Sequence, residues 1–371
     1  MNFLIITHVS HIYKDEKYYA YAPYTNEMNV WAKYADEITL LAPESCKVPT
    51  AIDSVYQHNH INFMKLENFD ILTIKSIVLA VSKVPRILVQ MYQAMQKADH
   101  IHLRCPGNIG LLGCFVQILF PNKKKTAKYA GNWDPKAKQP WTYKLQQKIL
   151  QNTFLTRNMQ VLIYGEWEGQ TKNCKSFYTA SYKEEEKEGI SRAFSNTVLR
   201  FIFVGSLVKG KDPVYAIQLI ELLYNKGYAV TLDLYGEGAV REYLAQYILK
   251  NNLDKIVTLK GNQDRENLKK AYQKSDFVVL PSDSEGWPKA IAEGMFWGCV
   301  PLATNVSCVS TMFNREERGL LLTKKLNEDV ATLVLLIDNP EVYNSKQRAA
   351  IAWSRRYTLD LFESEIKKLF L

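Results

Sequence analysis

Two carboxylates, Glu285 and Glu293, lie eight residues apart in the segment Val278–Thr304, VVLPSDSEGWPKAIAEGMFWGCVPLAT. An apolar run ends at Pro281 and the polar stretch Ser282-Asp283-Ser284-Glu285-Gly286 follows. Pro288 suits the first turn of a helix, because its missing N–H would have no partner there anyway. That reading puts Ser284, Glu285 and Gly286 at a helix N-terminus, where free N–H groups and the positive end of the dipole suit phosphate or sugar hydroxyls. Glu293 then lies about one and a half turns into the helix and can face the same ligand. As a bare spacing, a capping glutamate and a surface glutamate explain the pair equally well. The strand, loop, proline and helix around it sharpen the binding reading. HExxH and an EF-hand loop are both absent, and no Cys/His cluster has zinc spacing, so no protein-built metal site is expected.

The elements that must position this segment are strands alternating with helices. In the second half, Phe201–Val204, Val230–Tyr235, Val257–Leu259, Phe277–Leu280 and Val300–Ala303 read as buried strands. Helical stretches Val214–Tyr224, Val240–Lys250, one ending at Tyr272, and Lys289–Trp297 lie between them. In the first half, Phe3–Ile6, Ile38–Leu41, Ile71–Ile74 and His100–Leu103 read as strands. Asn26–Trp31, Val84–Lys97 and Gly110–Phe120 read as helices. This alternation predicts an α/β chain with parallel, doubly wound sheets. A chain of 371 residues, 47% apolar, fits two domains. The charged run Tyr182–Gly189 and the polar run Ser191–Thr197 mark the boundary, giving domains 1–180 and 181–352. Ligands in such sheets bind outside the carboxyl ends of the strands.

The pattern PS–x2–EG–x–P–x4–E–x4–G–x2–P around Glu285 and Glu293 resembles the retaining family 4 glycosyltransferases, glycosyl transferases group 1. The resemblance covers most of 199–322 and runs more loosely over 1–165. It implies the GT-B fold, two Rossmann-like domains facing across a cleft, and transfer of a sugar from a nucleotide-sugar donor. It also implies site roles. Glu285, Ser284 and the backbone of Gly286, Trp287, Pro288 and Lys289 would hold the donor sugar, and Glu293 the ribose. The segment FVGSLVKGKDP (Phe203–Pro213) resembles the family's strand-to-loop segment, with Gly205, Ser206, Lys209 and Lys211. Lys211 would neutralise the departing diphosphate. LYGEGAVRE (Leu234–Glu242) resembles the family's G-x-G turn, in which Gly236 and Gly238 let the backbone approach the nucleotide. Gly261 would lie near the base. On this likeness Glu285 and Lys211 are the catalytic candidates, the donor is UDP- or GDP-linked, and neither metal nor other cofactor is needed. The final helix, within 353–371, would pack back on the first domain, with Trp353 and Tyr357 near the crossing.

The chain departs from the family at three places. Ser206 stands where an arginine usually completes a phosphate clamp, and lysine does not replace arginine equally there. The Gly-Gly loop after the first strand gives way to the tyrosine-rich stretch His8–Tyr24. A histidine that often contacts the donor sugar falls on Ala130.

The first half is expected to hold a saccharide or lipid-linked acceptor. His102 and Arg104 precede the loop Cys105-Pro106-Gly107-Asn108, and Asn132 and Trp133 follow another strand end. His100 and His102 share one strand face. A core role suits His100 better, and core and ligand roles weigh equally for His102. Trp133 is as readily core as sugar platform. Pro23–Trp31 bears a looser likeness to glycosyltransferases of bacterial capsule, O-antigen or exopolysaccharide assembly.

The net charge of +9 is uneven: residues 1–165 hold 19 Lys+Arg against 11 Asp+Glu, the remainder 28 against 27. The densest stretch, 122–148, carries Lys123, Lys124, Lys125, Lys128, Lys136, Lys138, Lys144 and Lys148 against Asp134. Such a stretch suits an anionic membrane face, a lipid-linked phosphate, or simply a solvated surface. The longest nearly apolar run, Ile109–Phe120, is too short to span a bilayer. No basic n-region or cleavage site precedes the first strand, so a cytoplasmic protein, peripheral at the inner membrane face, is expected. The six cysteines form no CxxC pair and read as reduced thiols.

Other classes fare worse. A nicotinamide oxidoreductase needs GxGxxG after its first strand, and FLIITHVSHIY lacks it. No nucleic-acid motif accompanies the lysines. A sugar-nucleotide epimerase on the same fold needs a carboxylate set that is not evident. A donor-binding relative with weak or no transferase activity fits Ser206 and Ala130.

Overall fold

The computed structural model describes residues 1–67, 74–190, 194 and 197–370. The chain divides into two compact α/β units, Met1–Tyr178 with Phe362–Leu371, and Thr179–Leu361. The return to the first unit thus begins at Phe362 rather than at 353. Of the expected strand Ile71–Ile74, residues 71–73 lie outside the described residues, and Ile74 opens the helix Ile74–Lys97.

The first unit is built on the strand Asn2–Ile6, which pairs in parallel with Glu37–Ser45 on one side and His100–Cys105 on the other. Phe3, Leu4, Ile5 and Ile6 are all fully buried. That continuous apolar run is what a parallel strand needs when both faces of its sheet are covered. The sheet continues outward through Lys124–Tyr129, Met159–Tyr164 and Cys174–Phe177, while Ile61–Leu66 pairs with Glu37–Ser45. The tyrosine-rich stretch His8–Tyr24 holds a hairpin of His11–Lys14 and Lys17–Tyr21. Asp15 and Glu16 turn it with φ of 50° and 59°, the positive values that a primed two-residue hairpin turn demands. At the end of the chain, Phe370 packs 5.1 Å from Phe3 and 5.0 Å from His100, and Phe362 lies 5.4 Å from Phe177.

Several lysines of 122–148 are structural. The Lys125 ammonium is buried and donates to the carbonyls of Gln117 and Phe120, and burial pulls its pKa down to about 8. Lys128 is fully buried against Glu27. Lys123 donates to the carbonyls of Gln96 and Ala98. The basic stretch is therefore a thinner surface feature than its composition suggests. Among the described residues, no helix is long and apolar enough to cross a membrane.

The second unit holds six parallel strands in the order Val257–Gly261, Val230–Tyr235, Leu199–Val204, Phe277–Leu280, Val300–Thr304, Leu320–Leu322. The chain starts at Leu199–Val204, winds outward twice, then returns to Phe277–Leu280 on the other side. The winding direction reverses between those two central strands. Ligands of doubly wound sheets bind outside the carboxyl ends of the strands at such a reversal.

Candidate functional site

Two loops leave that switch point. The first runs from Gly205 into a single 3-10 turn, Lys209–Lys211, and ends at Asp212. Asp212 has φ 47° and caps the helix Pro213–Asn225 by accepting from the Tyr215 N–H at 3.2 Å, with Pro213 at the first helical position. The second runs from Pro281 to Pro288. They meet where the Lys211 ammonium lies 2.5 Å from Glu285 Oε1, and again where Asp283 N–H donates to the Gly210 carbonyl at 2.9 Å. Glu285 is buried while Lys211 keeps 29% of its side chain exposed.

The rest of the second loop is fastened from below. Thr304 Oγ1 donates to the Ser282 carbonyl. Ser307 Oγ and Cys308 Sγ donate to the Gly286 carbonyl at 2.8 and 3.4 Å. Burial pushes the Cys308 thiol up to about 12, so it stays protonated as a donor. Trp287 lies against Trp353 and Tyr357, with ring centroids 6.0 and 5.7 Å away, which keeps those two aromatics in the second unit. The helix begins at Lys289 with Pro288 as its cap residue, one position later than Pro288 alone suggests. Ser284, Glu285 and Gly286 therefore belong to the loop that leads into the helix N-terminus.

Glu293 projects from that helix, Lys289–Phe296. Its Oε1 accepts from Ser181 Oγ at 2.6 Å and its Oε2 from Tyr272 Oη at 3.1 Å, with the Lys289 ammonium 3.5 Å away. Burial, with the Glu293 charge beside it, holds the Tyr272 phenol well above its ordinary value, so it remains a donor. A carboxylate has about four lone-pair directions, so these contacts fix Glu293 and leave it capacity for a further donor.

The glycines bring the loops of neighbouring strands close together. Gly205 N–H donates to the Tyr235 carbonyl at 3.0 Å, Leu207 N–H to Glu237 at 2.9 Å, and Gly236 N–H to Gly261 at 2.9 Å. The loops after three neighbouring strands are thus zipped backbone to backbone. A Cβ on Gly236 would come within 2.0 Å of the Gly205 carbonyl oxygen, and one on Gly238 within 2.3 Å of the Leu207 oxygen. What Gly236 and Gly238 visibly admit is the neighbouring loop. Gly261, at φ 67°, faces Glu237. Ser206 and Lys209 are exposed at the rim of this group.

The first-unit candidates do not form one exposed surface. His102 is fully buried, its Nδ1 2.9 Å from Thr126 Oγ1 and its ring 4.6 Å from Trp31. Burial, then Arg104, His100 and Lys128, lowers its pKa well below the ordinary value, so it is a neutral core residue and not an acceptor contact. Trp133 is buried edge-on against Tyr129 at 4.7 Å and is likewise core. Asn132 is half-buried, and its Oδ1 accepts from Asp134 N–H at 2.9 Å. Arg104 keeps 12% of its side chain exposed and donates to the buried Glu27 at 3.1 Å, over the Tyr24 ring. Burial works against the Glu27 charge, but Arg104 and Lys128 outweigh it and lower its pKa. Ala130 N–H donates to the Cys105 carbonyl at 2.6 Å.

Residues that the sequence alone passed over complete the second-unit site: Asp212, Ser181, Ser307 and Lys324. Among the described residues, no group of three or more His, Cys, Asp or Glu is placed to hold a metal ion.

Residues 183–353 match the family Glycosyl transferases group 1. Protein CapJ of Staphylococcus aureus is 24% identical over 293 residues, 73% of this chain and 71% of CapJ. The amylovoran biosynthesis glycosyltransferase AmsK of Erwinia amylovora is 25% identical over 149 residues, 38% of this chain and 37% of AmsK. The chain spans about half the length, or less, of most of the curated relatives it matches. The crystal structure of HepE from Anabaena, in complex with UDP and glucose, superposes with a TM-score of 0.71 at 14% identity, over 99% of this chain and 98% of that one. Residues 183–353, within the second unit, are thus similar to Glycosyl transferases group 1, and the chain has the GT-B fold.

Proposed function

We propose that this protein is a retaining glycosyltransferase that moves a sugar from a UDP- or GDP-linked donor to a saccharide or lipid-linked acceptor in bacterial polysaccharide assembly. The observation that carries the reading is the Lys211–Glu285 pair at the switch point of the second unit. A nucleotide diphosphate needs cationic donors where charge builds on the leaving group, and Lys211 supplies one. A sugar needs acceptors for its hydroxyls, and Glu285 supplies one on a loop fixed by Asp283, Ser307 and Cys308. Glu293, held by Ser181 and Tyr272, is the acceptor for a second pair of hydroxyls such as those of a ribose. The match to the Glycosyl transferases group 1 family over 183–353, which includes Lys211, Glu285 and Glu293, supports the donor assignment. The likeness to AmsK supports a polysaccharide acceptor.

In this scheme the acceptor hydroxyl attacks from the face that the nucleotide leaves. The departing phosphate takes the hydroxyl proton, the bond from the anomeric carbon to the phosphate oxygen breaks, and the new glycosidic bond forms on the same face. Orientation and charge stabilisation do the catalytic work. The test is to incubate the protein with UDP- and GDP-sugars and follow nucleotide release. The anomeric configuration of the first-formed product is then read by NMR. Release with retained configuration, lost in Glu285→Ala, is expected. Inverted configuration overturns the retaining mechanism, and undiminished release by Glu285→Ala overturns the site.

A further inference from the structure

We infer that Lys324, which lies outside the donor contacts named above, is the positioning residue that sets the Lys211–Glu285 geometry. This rests on the donor-site reading. Lys324 follows the last strand of the sheet, Leu320–Leu322, and has φ 65°, a left-handed conformation that a long side chain adopts only when its surroundings impose it. The surroundings are one buried carboxylate. Asp329, in the first turn of the helix Leu326–Ile337, accepts from Thr323 N–H at 2.9 Å, Thr323 Oγ1 at 2.7 Å and Lys324 N–H at 3.1 Å, and also from Tyr215 Oη. This holds the Thr323–Lys324 turn and aims the lysine side chain back toward the switch point.

There the ammonium has three acceptors for its three protons. It pairs with Asp212 Oδ2, donates to the Pro281 carbonyl at 2.9 Å and lies 3.2 Å from Asp283 Oδ1. Asp212 is the residue next to Lys211. Pro281 and Asp283 open the loop that carries Glu285. One cation therefore ties together the two loops whose tips form the candidate site. It also offsets two carboxylates that would otherwise stand unpaired beside the place for a diphosphate. The ammonium is 5.4 Å from the centroid of Tyr215, the residue whose N–H is capped by Asp212. The lysine, the cap and the buried Asp329 are thus one connected network.

The role is separable from a merely structural one. If Lys324 acts by placing Lys211, its removal matters only while Lys211 is present, because residues in one network couple and independent ones add. Lys324→Met is expected to lower donor turnover (kcat/KM for nucleotide release) about tenfold in the wild-type background and less than about twofold in Lys211→Met. Equal losses in both backgrounds, or no loss in either, overturn the inference. Should Lys324→Met fail to fold, Lys324→Gln keeps a hydrogen-bond donor and serves in its place. A second readout needs no donor. Hydrogen exchange of the backbone amides at 210–212 and at 283–286 should quicken together in Lys324→Met by about tenfold, as local openings of both loops become easier. Unchanged exchange at either loop overturns the positioning role even when turnover confirms the donor site. If the wild-type protein releases no nucleotide from any donor while exchange quickens as expected, the donor-site reading fails and the loop tie stands.

Discussion

Lys211 and Glu285, separated by 74 positions in the chain, meet at 2.5 Å because their loops leave two neighbouring central strands at the point where the winding of the sheet reverses. The pair is asymmetric. Glu285 is buried and Lys211 is part-exposed, so the lysine has an open side for an incoming anion while the carboxylate is fixed in place.

That asymmetry sets what substitution should do. Glu285→Gln and Lys211→Met should each lower donor turnover by about a hundredfold or more, the usual loss when one preorganised electrostatic partner is removed. Glu285→Gln leaves no buried charge behind and should cost only about 1 kcal/mol of folding stability, whereas Lys211→Met strands the buried Glu285 carboxylate and should cost more. Urea unfolding beside the turnover assay separates the two effects. A loss of activity that tracks a large loss of stability would mean that the pair is a structural tie only.

Gly238→Ala tests the zipped loops. The added methyl would lie 2.3 Å from the Leu207 carbonyl oxygen, which is backbone and cannot swing away. Forcing that contact apart should cost about 1–3 kcal/mol. Gly205→Ala is the control, because its Cβ meets only Phe203 at 3.7 Å. Comparable melting points for the two variants would contradict this account of the glycines.

The arrangement of strands and helices was legible in the sequence because parallel strands buried on both faces leave continuous apolar runs, as Phe277–Leu280 and Phe3–Ile6 do. The hairpin His11–Lys14 with Lys17–Tyr21 was not, since its turn is made by Asp15 and Glu16 without a glycine to mark it. Glu285 and Glu293 stood out by their spacing within a strand–loop–helix frame. His102 and Trp133 did not declare their burial, because a strand-end histidine or tryptophan reads alike whether its face is core or solvent. Lys324 was invisible for another reason. Its partners Asp212, Pro281 and Asp283 are brought together only by sheet order, and nothing local to LLLTKK marks the lysine as a tie.

The first unit should be sensitive to mild acid. Burial lowers the pKa of His11 from an ordinary 6.5 to about 4 and that of His100 to about 3, and lowers His102 as well. The folded-state values lie below the unfolded one, so the unfolded chain binds protons first as pH falls. Stability is therefore fully present above about pH 6.5 and is lost as pH drops towards 4. His11 and His100 should each contribute a loss of up to about 2 kcal/mol at pH 5. Urea midpoints at pH 7 and pH 5 check this, and identical midpoints would show that these histidines are not held neutral.

The central claim is that the second unit holds a nucleotide-sugar. Its most direct test is a thermal-shift series against UDP-, GDP-, ADP- and dTDP-sugars with no metal added, on the wild type and on Lys211→Met. A ligand that binds only the folded state raises the melting temperature, by an amount equivalent to about 2.7 kcal/mol at a hundredfold excess over Kd. The account predicts that one nucleotide class, UDP or GDP, raises the melting temperature of the wild type and does so much less in Lys211→Met. No shift with any donor, or an equal shift in both proteins, would contradict it.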